Sequence, residues 1–142
     1  MIKKQRALLL GILGFISVAT NAQTNLYEVS SKEQGAPFDL VVTEIKREPY
    51  KSYIKIPNFG DRSAQGSRWL MCAYTDLTIK RGFTYWTVMY PKNHDDILLL
   101  GFSNTESTSP AQIFGKEYDS EASLDTSLYP IEPWKVFCGM ND

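Results

Sequence analysis

The sequence predicts an α+β domain: a small antiparallel sheet of about four or five strands, with one main helix at about 64–81 packed on it. Three observations carry this. Leu70, Ala73, Tyr74 and Leu77 fall at i, i+3, i+4 and i+7, one face of a 3.6-residue period. After Gly82 the period drops to two, and Phe83 to Tyr90 is rich in aromatic and β-branched side chains, as strands are. Phe38–Lys46 and Tyr50–Ile56 are two further strand-like runs, separated by Glu48-Pro49, where proline removes a ladder donor and restricts the residue before it.

In chain order, Gln23 to Gly35 is polar, with Leu26, Tyr27 and Val29 as its main apolar residues, and reads as a tail or a short edge strand. Phe38–Lys46 sets Val41, Thr43 and Ile45 against Leu40, Val42 and Glu44. Tyr50–Ile56 alternates, with Lys51, Tyr53 and Lys55 on one face and Ser52, Ile54 and Ile56 on the other. It is expected to pair antiparallel with the run before it. Pro57 to Asp61 is turn chemistry. Ser63 or Ser67 can cap the helix, because a serine hydroxyl accepts from a free first-turn amide. Trp69, Cys72 and Ile79 are expected to widen the apolar face, with Asp76, Thr78 and Lys80 mainly opposite. Lys80 and Arg81 suit the negative end of the helix dipole, and Gly82 suits a left-handed C′ position.

Large side chains on both faces of 83–90 predict a central strand covered on both sides. Ile97–Phe102 is a short apolar run that would form a hairpin with it. Ser103–Gln112 reads as a serine- and threonine-rich loop, and Tyr118–Ser127 as an acidic segment with one turn of helix. Pro130 and Pro133 predict an extended approach to a closing strand, Trp134 to Cys138, with Trp134, Val136 and Cys138 facing in.

Residues 1–22 read as a secretory signal peptide. Lys3, Lys4 and Arg6 precede the apolar run Ala7–Val18, and Thr20-Asn21-Ala22 offers small-residue cleavage before Gln23. The run is about 12 residues, short of the roughly 20 that span a bilayer. The expected mature chain, 23–142, has the size of one domain, with no transmembrane segment after cleavage and a periplasmic or secreted location. Three of the fifteen Lys and Arg side chains lie in the leader, leaving a mildly acidic chain with no basic cluster. That argues against nucleic acid or anionic lipid as partner. Cys72 and Cys138 are the two cysteines. In an exported chain they predict one disulfide, for which the chain-entropy account gives roughly 4 kcal/mol. The alternative is two unpaired thiols. Cys-X-X-Cys is absent, which disfavours thiol–disulfide catalysis.

Catalytic inventory is thin. His94 is the single histidine, and there is no Gly-X-Ser-X-Gly elbow. His94, Asp95 and Asp96 form a weak metal-ligand candidate; a solvated connection is the plainer reading, since no second histidine or ligating cysteine accompanies them. Glu117, Asp119, Glu121 and Asp125 lack calcium-loop spacing and its central glycine. Gly60 to Gly66 precedes the helix and offers its amides to an anion, but without a lysine it is a plain loop. No cofactor is expected. The chain is rich in aromatics, most of them needed for core. Tyr50, Tyr53 and Tyr129 are the candidates for an exposed patch that meets a partner or glycan.

The stretch Leu70-Met71-Cys72-Ala73-Tyr74-Thr75-Asp76-Leu77-Thr78-Ile79-Lys80-Arg81-Gly82-Phe83-Thr84-Tyr85-Trp86 resembles a signature of small exported proteins and lipoproteins of Gram-negative bacteria. Their pattern is an Ala-Ala-Glu-Leu-type helix ending in glycine, then aromatic-X-Tyr-aromatic entering a strand. The resemblance covers about residues 50–90. It implies a fold and an envelope compartment, and no catalytic residues. The chain departs from it in having Tyr74-Thr75-Asp76 where Ala-Glu residues are usual, and no lipobox cysteine, which argues against lipid anchoring. The leading expectation is a non-enzymatic periplasmic domain that binds another envelope protein or an extracellular ligand, or has an envelope-structural role. The alternative is a secreted inhibitor of a host or competitor enzyme acting through Ser103–Gln112. A metal-dependent enzyme using His94 is third.

Overall fold

Among the described residues six antiparallel strands form one sheet in the order β1-β2-β3-β5-β4-β6. They are β1 Glu28–Ser30, β2 Val41–Glu48, β3 Lys51–Lys55, β4 Tyr85–Met89, β5 Ile97–Ser103 and β6 Tyr129–Pro130. Among the described residues three α-helices accompany them: α1 Ala64–Lys80, α2 Pro110–Phe114 and α3 Ile131–Phe137. The structure is a computed structural model that describes residues 26–90, 96–118 and 127–140. The proposed leader and its cleavage site, His94, Asp95, Asp119, Glu121 and Asp125 lie outside the described residues. Among those described, no helix is long and apolar enough to cross a membrane.

The α+β class holds, with more elements than expected. The central helix is α1, and Leu70, Ala73, Tyr74 and Leu77 are all buried on its inner face. Ser63 caps it, its hydroxyl accepting from the Gly66 amide at 3.0 Å. At the other end Gly82 takes φ 80°. The Phe83 amide donates to the Thr78 carbonyl and the Gly82 amide to the Ile79 carbonyl, the paired bonds of a Schellman stop. Gly66, which weakens a helix start by propensity, is needed for packing: a Cβ there would lie 3.0 Å from Leu40 Cδ1.

The breadth of the helix face needs correction. Ile79 is 37% exposed, whereas Thr75 and Thr78 are fully buried. Both threonine hydroxyls donate back to helix carbonyls, Thr75 to Met71 and Thr78 to Tyr74. That pairing lets a polar side chain enter the core without an orphaned hydroxyl. Thr75 also accepts from the Trp86 indole at 3.1 Å, which satisfies the largest fully buried side chain.

The sheet is covered on both faces where β4 and β5 run through its centre. Trp86, Val88, Leu98, Leu100 and Phe102 pack into the core under α1; Met89 and Leu99 pack with Ile113 and Phe114 of α2. Gly101 permits the second contact, since a Cβ there would meet Ile113 Cγ2 at 2.5 Å. In β2, a register shift between Glu44 and Lys46 leaves Val42 and Glu44 buried and Ile45 44% exposed.

The expected closing strand at Trp134–Cys138 is a helix. Pro133 decides it: inside a strand it would delete a ladder bond, whereas in the first turn of α3 its missing N–H has no partner to lose. Ile131, Trp134 and Cys138 then share a face, and Val136, expected inside, is 79% exposed. Gly139 at φ 67° ends the helix. The segment read as a serine- and threonine-rich loop also contains a helix, α2, closed by a reciprocal Ser109–Gln112 capping box.

Candidate functional site

Cys72 and Cys138 are joined, with Cα atoms 5.7 Å apart, so α3 is stapled to α1. Beside the staple runs a groove of about 440 Å³ that includes Tyr27, Trp69, Asp76 and Lys80. Its polar groups are spent on one another. Tyr27 donates to Asp76 at 2.9 Å, Lys80 pairs with Asp76 at 2.6 Å, and the Trp69 indole donates to Gln34. Burial, and then the charge and hydrogen bond of Asp76, push the Tyr27 phenol far above its ordinary range, so it is a neutral donor.

A second groove, of about 420 Å³, lies beyond the C-terminal end of α1, lined by Tyr50, Phe83, Phe102 and residues of the 103–113 segment. Its construction starts from Arg81, the residue that follows the last helical turn. The guanidinium donates to the carbonyls of Glu48, Pro49 and Lys51 and to Ser52 Oγ. These bonds clamp the tight β2–β3 turn that carries Tyr50. Ser52 in turn donates to buried Glu44 at 2.6 Å, and Glu44 also accepts from Arg47 and from the Tyr27 amide. Burial alone would raise the Glu44 carboxyl pKa. The donors from Arg47, Ser52 and the Tyr27 amide outweigh it and hold the pKa below the ordinary 4.5.

On this base stands an aromatic wall. Phe83 and Phe102 stack with centroids 5.3 Å apart, and Tyr50 packs against Phe83 at 6.0 Å. The Phe102 amide donates to the Tyr50 carbonyl, while the Tyr50 ring stays 62% exposed. The facing rim is the segment from Ser103 to Gln112. Thr105 and Thr108 hydroxyls approach at 2.6 Å and Ser103 lies 2.9 Å from Thr108, so the hydroxyls knit the loop to itself. Asn104 Oδ1 accepts from the Thr84 amide, and Gln112 Oε1 from the Ser109 amide. Because a carboxamide nitrogen cannot accept, these bonds fix both amide orientations. The two NH₂ groups are left with no hydrogen-bond acceptor among the described residues.

No family model matches this chain, and no curated protein or solved structure matches it. The site therefore rests on its own geometry.

The three tyrosines singled out in the sequence are separated. Tyr50 lines the groove. Tyr53 is half-buried, donates to Glu117 at 2.8 Å and carries the Lys46 ammonium 4.9 Å above its ring. Burial and then Glu117 push its phenol up to about 12. Tyr129 stacks on Trp86 at 4.6 Å. Of the weak metal candidates, Asp96 alone is described, and its carbonyl accepts from the Ile56 amide at 2.7 Å. Among the described residues no three metal-ligating side chains cluster. At the Gly60–Gly66 stretch, Ser63 occupies the Gly66 amide, and Arg62 lies over the Phe59 ring at 3.8 Å. Sequence reasoning reads Phe83 as core, does not single out Phe102, and reaches Asn104 and Gln112 only as part of the Ser103–Gln112 loop. The signal open to it was the Ser109-Pro110-Ala111-Gln112 spacing of a capping box, which orders the rim.

Proposed function

We propose that this protein is an exported, disulfide-closed binding domain of the bacterial envelope, non-enzymatic, whose binding face is the groove beneath Tyr50. The observation that carries the binding role is the exposed Tyr50 ring beside uncommitted amide donors in a concave site of about 420 Å³. That volume lies within the roughly 300–1,000 Å³ of small-molecule sites. The non-enzymatic reading is supported by the hydroxyls of the rim, which bond to one another and to backbone rather than to a base. Export is supported by the leader pattern together with the Cys72–Cys138 bond, since such bonds persist in oxidising compartments.

Intact mass of the protein recovered from periplasm tests export. The mass of Gln23–Asp142 less two hydrogens is expected. An uncleaved chain, or two thiols alkylated without reduction, would remove the compartment from the proposal. Binding at the groove is tested by amide shifts during ligand titration.

A second reading, inhibition of a host or competitor enzyme, draws on the ordered Ser103–Gln112 rim, whose Glu106 is exposed. Stoichiometric loss of activity of one purified enzyme, reversed by replacing residues 104–108 with glycine and serine, would favour it over the groove.

A further inference from the structure

We propose that the occupant of the Tyr50 groove is a neutral saccharide, an inference that rests on the groove being the binding face. Three features of the site select this chemistry. The first is the exposed Tyr50 ring, tilted at 58° to the Phe83 ring of the Phe83–Phe102 stack. It offers an aromatic plane to the C–H face of a sugar ring, while its hydroxyl remains available to a ring substituent. An amphipathic platform of this kind suits a ligand that is apolar on one side and polar on the other.

The second feature is the set of committed oxygens. With Asn104 Oδ1 turned to Thr84 and Gln112 Oε1 turned to Ser109, the rim presents amide donors. Hydroxyl, ring and acetamido oxygens of a sugar are the matching acceptors. The third is charge. The lining is Tyr50, phenylalanines, Ile113, hydroxyls and carboxamides, with no ionisable acid or base beyond the tyrosine itself. The nearby cation, Arg81, is spent on carbonyls of the β2–β3 turn. An anionic ligand would find no counter-charge there, and a cationic one no carboxylate; a neutral polar ligand avoids the larger cost of an unpaired charge.

The site also has a preformed framework. The Tyr50 turn is held by four Arg81 contacts and the rim by the capping box. Little ordering then opposes binding. A shallow groove with one stacking ring is expected to bind a trisaccharide with a dissociation constant on the order of 1 mM.

The test is an amide-resolved NMR titration of the mature, oxidised protein with maltotriose, cellotriose and triacetylchitotriose. At least one should shift Tyr50, Asn104 and Gln112 together. Tyr50→Ala should weaken that binding by about tenfold, and Tyr50→Phe should retain most of it. Asn104→Asp and Gln112→Glu keep the oxygens that hold the loop and remove the donors. Each should weaken binding about tenfold while the remaining spectrum is unchanged. Failure of all three saccharides up to about 20 mM overturns the inference. If a mixture of neutral aromatic and amide fragments then shifts the same residues, the groove is a binding face for another chemistry and the proposed function stands. If the fragments too leave those residues unmoved, both readings fall.

Discussion

Arg81 donates to the carbonyl of Glu48 at 2.5 Å, so the end of the central helix holds the hairpin turn that presents Tyr50. The same guanidinium lies 4.8 Å from the Phe102 ring centroid, beneath the aromatic wall. Helix, sheet and groove thus meet at one side chain. A planar fork is needed, because the acceptors are spread over three carbonyls and one hydroxyl, and an ammonium cannot span them.

Arg81→Lys is therefore expected to cost about 2 kcal/mol of stability and to shift the Tyr50 and Phe102 amides. Urea denaturation reads the first and an amide spectrum the second. An unchanged midpoint with unmoved groove resonances would show that the turn holds itself.

Glu44 is the second centre of the network. Its folded pKa is depressed, so ionised Glu44 adds stability above the unfolded pKa of about 4.5, and that contribution is lost as the pH falls through the lower folded value. Stability should decline on acidification below about 4.5. Glu44→Gln should cost about 2 kcal/mol at neutral pH, by removing the charged acceptor of Arg47, Ser52 and the Tyr27 amide, and should flatten that acid limb. Denaturation midpoints from pH 3 to 7 measure both effects.

Reduction of Cys72–Cys138 frees α3 from α1. The expected cost is roughly 2–4 kcal/mol, seen as a lower melting temperature in reductant. Cys72→Ala with Cys138→Ala should melt at the same lowered temperature and be insensitive to reductant.

Gly101 carries the second sheet face. In Gly101→Val the new side chain meets Ile113 and Phe114 at contacts of 2.5 and 3.1 Å from its Cβ. A cost of about 1–3 kcal/mol is expected. Because Ile113 also lines the groove, amide shifts should spread from β5 to the Ser103–Gln112 rim.

What could be read from the sequence was what depends on short spacing. The four-residue face of α1, the Gly82 stop and the alternation of Lys51–Ile56 are local patterns, and each appears in the structure. Thr75 and Thr78 defeat a polarity argument because their burial depends on hydroxyl bonds to their own helix. Trp134, Val136 and Cys138 imitate a strand over five residues, too few to separate a period of two from 3.6 without weighing Pro133. β6 is two residues long, below the length at which alternation exists. The groove is drawn from four separated pieces: the Tyr50 turn, Phe83, the end of β5 and the rim before α2. Only the strand order brings them together.

The most direct measurement is an amide-resolved NMR screen of the oxidised mature protein against a mixture of small neutral ligands, repeated on Tyr50→Ala. The account predicts shifts concentrated at Tyr50, Asn104 and Gln112, with the binding behind them weakened about tenfold by the substitution. Shifts confined to the Tyr27–Asp76 groove beside the disulfide, and indifferent to Tyr50, would contradict it.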